Sequence, residues 1–294
     1  MNLLTLLAGS PGVVQLLSWS EGLFDVHLAF PIYPRSLHDY IQHGCLKLGL
    51  GGKPDIMPGM CKKLLEALSH VHGLKIVHRD FKPANILVDD SAVPDKSSAV
   101  GDKKGPKVVL ADFGGACQVK VEATTAKSFN VLAGGRECST YQYMAPELFV
   151  KKQFRACSYA TDVWAMGVTL VEMDSGSMPF GSPKMRRSEL DEIFVQILKV
   201  LFKTKVDAFD DSVRKDPLVF NKRLSSIKLQ ASHALPWGRS RSPSFQNFLR
   251  SFFEPFPPTR PLAETLARDP ALPKFFLTIG FISSRPGRCS IIFL

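Results

Sequence analysis

The sequence predicts an α+β fold, a mainly helical body with a small β-rich part at its start. Three observations carry this. Short apolar runs at 13–17 and 26–30 flank a Ser-Glu-Gly turn and read as two strands. Met60, Leu64, Leu68 and Val71 recur at spacings of four, four and three, which places them on one helix face packed on a core. The run from Asp162 to Met173 is apolar almost all round, the pattern of a helix buried on most sides.

Composition supports a globular chain and narrows its partners. At 45% hydrophobic and 22% charged residues, it has too much apolar surface for a disordered polymer. Its 294 residues suffice for one large domain or two ordinary ones. Lysine and arginine number 37 against 27 acidic residues, a formal charge of +10 that favours anionic partners such as phosphates. No nucleic-acid motif or aromatic-basic stacking pattern accompanies the charge, so nucleic acid is not an expected partner. Cys45, Cys61, Cys117, Cys138, Cys157 and Cys289 form no C-x-x-C pair and are irregularly spaced. Reduced thiols, and a cytoplasmic or nuclear location, are therefore expected. No apolar run reaches the roughly 18–20 residues that cross a bilayer, so no membrane association is expected. The opening stretch 1–12 lacks the positive residues of a secretory leader and reads as the end of a buried helix.

The remaining elements follow in chain order. Pro31 and Pro34 end the second strand, because proline cannot donate to a ladder. After the helix containing Met60, Ile76-Val77 leads into His78-Arg79-Asp80-Phe81-Lys82-Pro83-Ala84-Asn85. Ile86-Leu87-Val88 and Val108-Val109-Leu110 read as a hairpin across the polar insert 89–107. A second polar stretch fills 115–140, and Gly176 is the predicted stop of the buried helix. Residues 181–260 hold 15 basic against 8 acidic residues, and Arg239–Pro243 within them reads as a basic loop or a small phosphorylatable Arg-Ser patch. The tail 277–294 is apolar but broken by Ser-Ser-Arg-Pro-Gly-Arg, and reads equally as a docked tail or a non-native extension. There is no internal repeat.

The order of three motifs is specific. His78-Arg79-Asp80 with Asn85, then Asp112-Phe113-Gly114 after an apolar strand, then Ala145-Pro146-Glu147 resemble the catalytic loop, DFG and APE motifs of the eukaryotic protein kinases. Asp162-Val163-Trp164 resembles the start of the family's central helix, and Pro258–Pro261 with Arg268-Asp269-Pro270 its domain end. The likeness covers roughly residues 10–276.

The resemblance implies an α+β, kinase-like fold: a mainly helical large lobe at 34–276, a remnant of the β-rich small lobe and hinge at 1–33, and an activation segment at 112–147. It implies a Ser/Thr protein kinase that uses ATP and Mg2+, with protein Ser/Thr hydroxyls as acceptors and an activating kinase or regulatory subunit as partner. Phosphoryl transfer runs through a loose transition state, so positioning and charge neutralisation dominate catalysis. By motif position, Asp80 accepts the substrate proton. Lys82 attends the transferred phosphate and marks the Ser/Thr branch, and Thr140 bonds both. Asn85 and Asp112 are the oxygen ligands for the metal. Phe30 matches the gatekeeper, the Pro31 carbonyl and Tyr33 amide face the adenine edge, and Leu87 forms its floor. Glu147 and Arg260 match a buried ion pair, Asp162 the carboxylate that holds the catalytic loop, His78 a packing residue and Phe113 a core plug. Arg79 is expected to pair with a phosphorylated activation segment, with Thr124, Thr125, Ser128 and Ser139 as candidate sites.

The chain also departs from the pattern. No G-x-G-x-x-G precedes Ser10, and no V-A-I-K-like strand is present. Ser10-Pro11-Gly12-Val13-Val14 resembles the segment just after the small-lobe helix, so these residues read as an intact large lobe behind a truncated small lobe. Residues 1–294 alone are expected to show little activity, with a pseudokinase or scaffold role as the alternative. The basic segment 181–260 suggests the cyclin-dependent group.

Overall fold

A computed structural model describes residues 2–44, 56–91, 105–119, 131–132, 140–150, 156–182, 184–202, 209–227, 242–270 and 272. The chain opens with a short helix, α1 (Asn2–Leu6), which leads to the fully buried Leu7. This agrees with a buried helix end. Val13 and Val14 are both buried, but they build no hairpin. Val13 forms a parallel bridge with Leu110, Val14 N–H donates to the Leu110 carbonyl, and Leu110 N–H donates to that of Gly12. The Gln15 side chain meanwhile binds backbone at Gly9, Ser10 and Val13, so this loop satisfies its polar groups locally.

The expected first strand is therefore displaced. The hairpin consists of β1 (Ser18–Glu21) and β2 (Val26–Ala29), turning at Gly22–Asp25 rather than at Ser20–Gly22. The apolar run 13–17 misled because its two valines face separate clusters, one on each side of an extended chain.

A three-stranded antiparallel sheet, in the order β3-β5-β6, frames the next region. Its first strand, β3 (Arg35–Ser36), runs directly into α2 (Leu37–Gln42). Ser36 caps that helix, with Asp39 reaching back in a reciprocal capping box. Next comes α3 (Met57–Gly73), which buries Met60, Leu64, Leu68 and Val71 as its period predicts. After it, β4 (Ile76–Val77) precedes β5 (Ile86–Asp89) and β6 (Lys107–Leu110), which pair as the predicted hairpin. Most of the insert between them, 92–104, lies outside the described residues. β7 (Cys117–Gln118) pairs back onto β4, and β8 (Val131–Leu132) pairs with β9 (Ala156–Cys157).

The central helix is α4 (Tyr159–Ser175), with thirteen buried residues from Thr161 to Met173. Ser158 caps its start, and Gly176 ends it in the left-handed region at φ 72°, where glycine carries no steric penalty. Around it lie α5 (Leu190–Ile197), continued by a π turn to Phe202, then α6 (Asp211–Lys215) and α7 (Pro217–Ser226). The last two helices among the described residues are α8 (Pro243–Phe252) and α9 (Ala263–Ala267). One continuous core joins α3, α4, α5 and α8, with Trp164, Phe149, Phe220 and Phe252 fully buried. The basic loop 239–241 and the tail 277–294 lie outside the described residues.

Gly167 sets how closely α4 approaches α8. A methyl group at this position would sit 2.5 Å from Phe252 Cβ, a contact no real side chain makes. Gly167→Ala gains up to about 1 kcal/mol of helix propensity. Overpacking at a rigid site costs about 1–3 kcal/mol, so the expected net result is a lower midpoint in urea unfolding. An unchanged midpoint would show that the two helices slide apart freely.

Thiol chemistry departs from expectation at one position. Cys61 is free and buried, and burial pushes its thiol far above the usual range. Cys117, however, is disulfide-bonded, so reduction of every thiol is not what the structure holds. Irregular sequence spacing cannot anticipate such a pairing, because bond formation depends on distance in space.

Candidate active site

The site is built on two turns held from below by one carboxylate. Asp162, 1% exposed in the first turn of α4, accepts from the N–H of His78 at 2.7 Å and of Arg79 at 2.9 Å. His72 Nε2, from the last turn of α3, donates to the same carboxylate at 3.0 Å. The helix N-terminus adds favourable partial charge for this anion. Arg79 adopts φ 71°, a left-handed conformation that costs a non-glycine residue about 1–3 kcal/mol. The Asp162 bonds hold it there, and its guanidinium donates to the Gly115 carbonyl at 3.1 Å.

His78 is fully buried, with both ring nitrogens engaged. Nε2 donates to the Ala111 carbonyl at 2.9 Å, and Nδ1 accepts from Asp80 N–H at 3.3 Å. It thus ties the turn bearing Asp80 to the turn bearing Asp112. Phe113 packs edge-on against it, with ring centroids 4.8 Å apart, and is buried as a core plug.

Four side chains named from the sequence converge above this support. The Asp80 carboxylate accepts from Thr140 Oγ1 at 2.7 Å and Thr140 N–H at 3.0 Å. Its second oxygen accepts from Lys82 Nζ at 2.7 Å and Asn85 Nδ2 at 2.9 Å. Lys82 Nζ also donates to Thr140 Oγ1 at 2.7 Å, which closes the cluster. Thr140 is 60 residues from Asp80 in sequence, so the fold alone brings them together. The Asp80 and Lys82 side chains are 15% and 22% exposed, buried enough to be ordered and open enough to meet a substrate.

Asp112 stands on the adjoining turn at φ 60°, its side chain exposed and accepting from Gly114 N–H at 3.3 Å. Ala111 N–H donates to the Asn85 carbonyl at 2.8 Å, which sets the two turns side by side. The Asp112 carboxylate and the Asn85 amide oxygen are hard oxygen donors of the kind that would hold Mg2+. The residues present thus fit a magnesium ion.

On the other side of β5 and β6, Val14, Val109 and Ala111 form a small buried cluster. Phe30, Tyr33 and Leu87 pack against it, with Pro31 half-buried between the two aromatics in sequence. Lys107 Nζ lies 5.5 Å from the Tyr33 ring centroid.

Some contributors were not named from the sequence. The Tyr143 hydroxyl donates to buried Glu172 at 2.5 Å, and His38 approaches the same carboxylate at 3.7 Å. Burial, with Glu172 beside it, pushes the Tyr143 hydroxyl above the usual range. A signal existed, because Glu172 falls within the apolar run from Val163 to Met173, and a buried carboxylate needs partners. His72 offered no such signal, since a histidine in a helix's last turn more often faces solvent.

Comparison with known proteins agrees with this geometry. A family model for the protein kinase domain matches residues 1–272. The chain belongs to the protein kinase family. It is 33% identical over 153 residues to mitogen-activated protein kinase kinase 9 of Arabidopsis thaliana, covering 51% of this chain and 42% of that one. It is 29% identical over 184 residues to the liver/testis phosphorylase b kinase gamma catalytic chain of Mus musculus, covering 61% and 38%. It is 28% identical over 231 residues to serine/threonine-protein kinase 10-A of Xenopus laevis, covering 78% and 18%. The chain thus matches less than half the length of each. Its fold is a protein kinase fold, with a helical large lobe and few strands ahead of it. No helix among the described residues is long and apolar enough to cross a membrane.

Proposed function

We propose that this kinase domain transfers the γ-phosphate of ATP to serine and threonine hydroxyls of protein substrates. The closed cluster of Asp80, Lys82, Asn85 and Thr140 supports the reading. In the proposed step the substrate hydroxyl passes its proton to Asp80 as its oxygen bonds to the γ-phosphorus. The bond from that phosphorus to the bridging oxygen breaks, and ADP leaves with the electron pair. Lys82 balances the charge that gathers on the transferred group, and Thr140 fixes both side chains. Magnesium, when bound, neutralises phosphate charge; Asp112 and Asn85 are the residues that would hold it. The pocket of Phe30, Pro31, Tyr33 and Leu87 would take the adenine.

The division into 1–33, 34–276 and 277–294, a cytoplasmic or nuclear location, and an activating kinase or regulatory subunit as partner belong to the same proposal. So does the relation to the cyclin-dependent group, whose support is the basic excess of 181–260. The alternative is a binding module on the same fold.

The test places a glycine-loop lobe with its strand lysine ahead of residue 1 and supplies ATP, Mg2+ and Ser, Thr and Tyr peptide pools. Transfer to Ser and Thr is expected from the fusion, and little from residues 1–294 alone. Transfer confined to Tyr would overturn the acceptor assignment. A folded fusion that binds ATP without transfer would favour the binding module. Regulation is tested in the same assay. Alanine at Thr124, Thr125, Ser128 and Ser139 together, all outside the described residues, is expected to lower activity at least about tenfold by removing the anion that Arg79 would bind. Unchanged activity would remove that part of the proposal.

A further inference from the structure

One buried acid lies off the catalytic cluster and yet bonds to the segment that completes it. Glu172, in the last turn of α4, is 1% exposed. One of its oxygens accepts from the Tyr143 hydroxyl. The other faces His38 Nδ1 at 3.7 Å, and His38 is its ion-pair partner among the described residues. A carboxylate this deeply buried is costly unless a cation and hydrogen bonds compensate it. Tyr143 supplies a neutral hydrogen bond, so the compensating charge falls to His38.

A run of hydrogen bonds leads from Glu172 to the catalytic cluster. Tyr143 closes the turn Tyr141–Tyr143, and its N–H donates to the carbonyl of Thr140, the residue that opens the turn. Thr140 in turn gives Asp80 two bonds, from Oγ1 and from N–H.

His38 can change its charge where it stands. It lies in the first turn of α2 with its side chain 42% exposed, so water reaches the ring. Imidazoles ordinarily gain and lose their proton between about pH 5 and 8. On its own helix its neighbour is Asp39, whose carboxyl is held below the usual range mainly by hydrogen bonds from Ser36, with His38 and His43 adding to them. His43 Nδ1 meets the Asp39 carbonyl. The elements packed on α2 are β3, the turn Pro83–Asn85 and β5. β3 brings Arg35, set over the Tyr40 ring at 5.9 Å, and β5 brings Asp89, in register with Lys107. The turn Pro83–Asn85 brings no titratable side chain.

We propose that protonated His38 is a positioning residue for phosphate transfer, its charge keeping Glu172 turned inward so that Tyr143 holds Thr140 on Asp80. The effect on turnover rests on the kinase reading above; the link itself is a property of the fold. At low pH the Glu172–His38 pair holds a proton between its members. At high pH that proton is gone, and Glu172 is a bare anion in an apolar helix. His38 is the exposed neighbour, so the way to water runs past it. A carboxylate that turns that way leaves the buried Tyr143 hydroxyl without its acceptor, and the turn that carries Thr140 loosens. Turnover therefore falls as pH rises. A general base acts in the opposite sense, since its deprotonation raises activity.

The first arm of the test needs no activity. Amide hydrogen exchange in residues 1–294, corrected for intrinsic exchange at each pH, reads the Thr140 N–H that bonds to Asp80. Its protection is expected to fall at least about tenfold between about pH 5 and pH 8. His38→Lys, a cation throughout, is expected to keep it high at both, and His38→Gln low at both. Tyr143→Phe, which removes the link and keeps the ring, is expected to be low at both. In the fusion with the glycine-loop lobe, kcat is expected to follow the same pattern, with KM for ATP unchanged. The same pH dependence in His38→Gln as in the parent, or none in the parent, overturns the proposal. So does His38→Lys behaving as His38→Gln, which would show that the charge contributes nothing. A fusion inactive at every pH, with the exchange pattern as expected, would sink the kinase reading and leave the His38 link standing.

Discussion

Asp80→Asn is expected to lower phosphate transfer by about 10³-fold, the scale of a lost general base, while ATP binding persists. The measurement is kcat and KM for ATP in the fusion that carries the glycine-loop lobe. Asparagine keeps the size of the side chain, and its oxygen can still accept from Thr140 Oγ1 and Thr140 N–H. The other position changes sign, because an NH2 group would face Lys82 Nζ and Asn85 Nδ2, both donors. The proton acceptor is lost, and Lys82 loses the anion that aims it. KM for ATP should hold, since neither the Phe30–Leu87 pocket nor Asp112 bonds to the altered group. Thermal unfolding within a few degrees of the parent would show that the fold survives. Turnover within tenfold of the parent would sink the assignment of Asp80 as base.

That cluster was legible in the sequence because its parts lie in short motifs with fixed internal spacing. Asp80, Lys82 and Asn85 sit within six residues, and one turn sets their relation. Thr140 was legible from its distance to Ala145 in the third motif. The helix at Met57–Gly73 and the buried helix at Tyr159–Ser175 were legible because a period of 3.6 or an unbroken apolar run leaves few alternatives. The first strand was not. Val13 and Val14 belong to an extended segment that pairs with β6 almost a hundred residues later, and no local pattern separates that from a hairpin strand. The same holds for Tyr143, Glu172 and His38, brought together from three elements. Contacts of long sequence separation that fall outside a motif leave the weakest trace in local sequence.

Arg260→Met is expected to destabilise the protein by about 3–5 kcal/mol, the cost of leaving a buried partner charge uncompensated. For a chain of this size that lowers Tm by on the order of 10 °C. The Arg260 side chain is fully buried and makes a forked pair with Glu147, at 2.9 and 3.2 Å. It also donates to the carbonyls of Ala160 at 2.7 Å and Glu254 at 2.9 and 3.0 Å, with its carbon 5.1 Å from the Trp164 ring centroid. Methionine refills much of the volume but strands the Glu147 carboxylate and those carbonyls. Arg260→Lys should lose less, because the charge remains and only the fork is gone. Glu147→Gln should also lose less, since the guanidinium keeps its backbone carbonyls. The double change Glu147→Leu with Arg260→Met should recover part of the loss, as removal of both charges is far cheaper than removal of one. Activity should fall with stability, for a reason visible in the contacts. Glu147 lies seven residues beyond Thr140, and Ala160 lies two before Asp162, so one guanidinium steadies both the segment that reaches Asp80 from above and the helix start that holds it from below. A Tm within 2 °C of the parent for Arg260→Met would show that this pair does not brace the site.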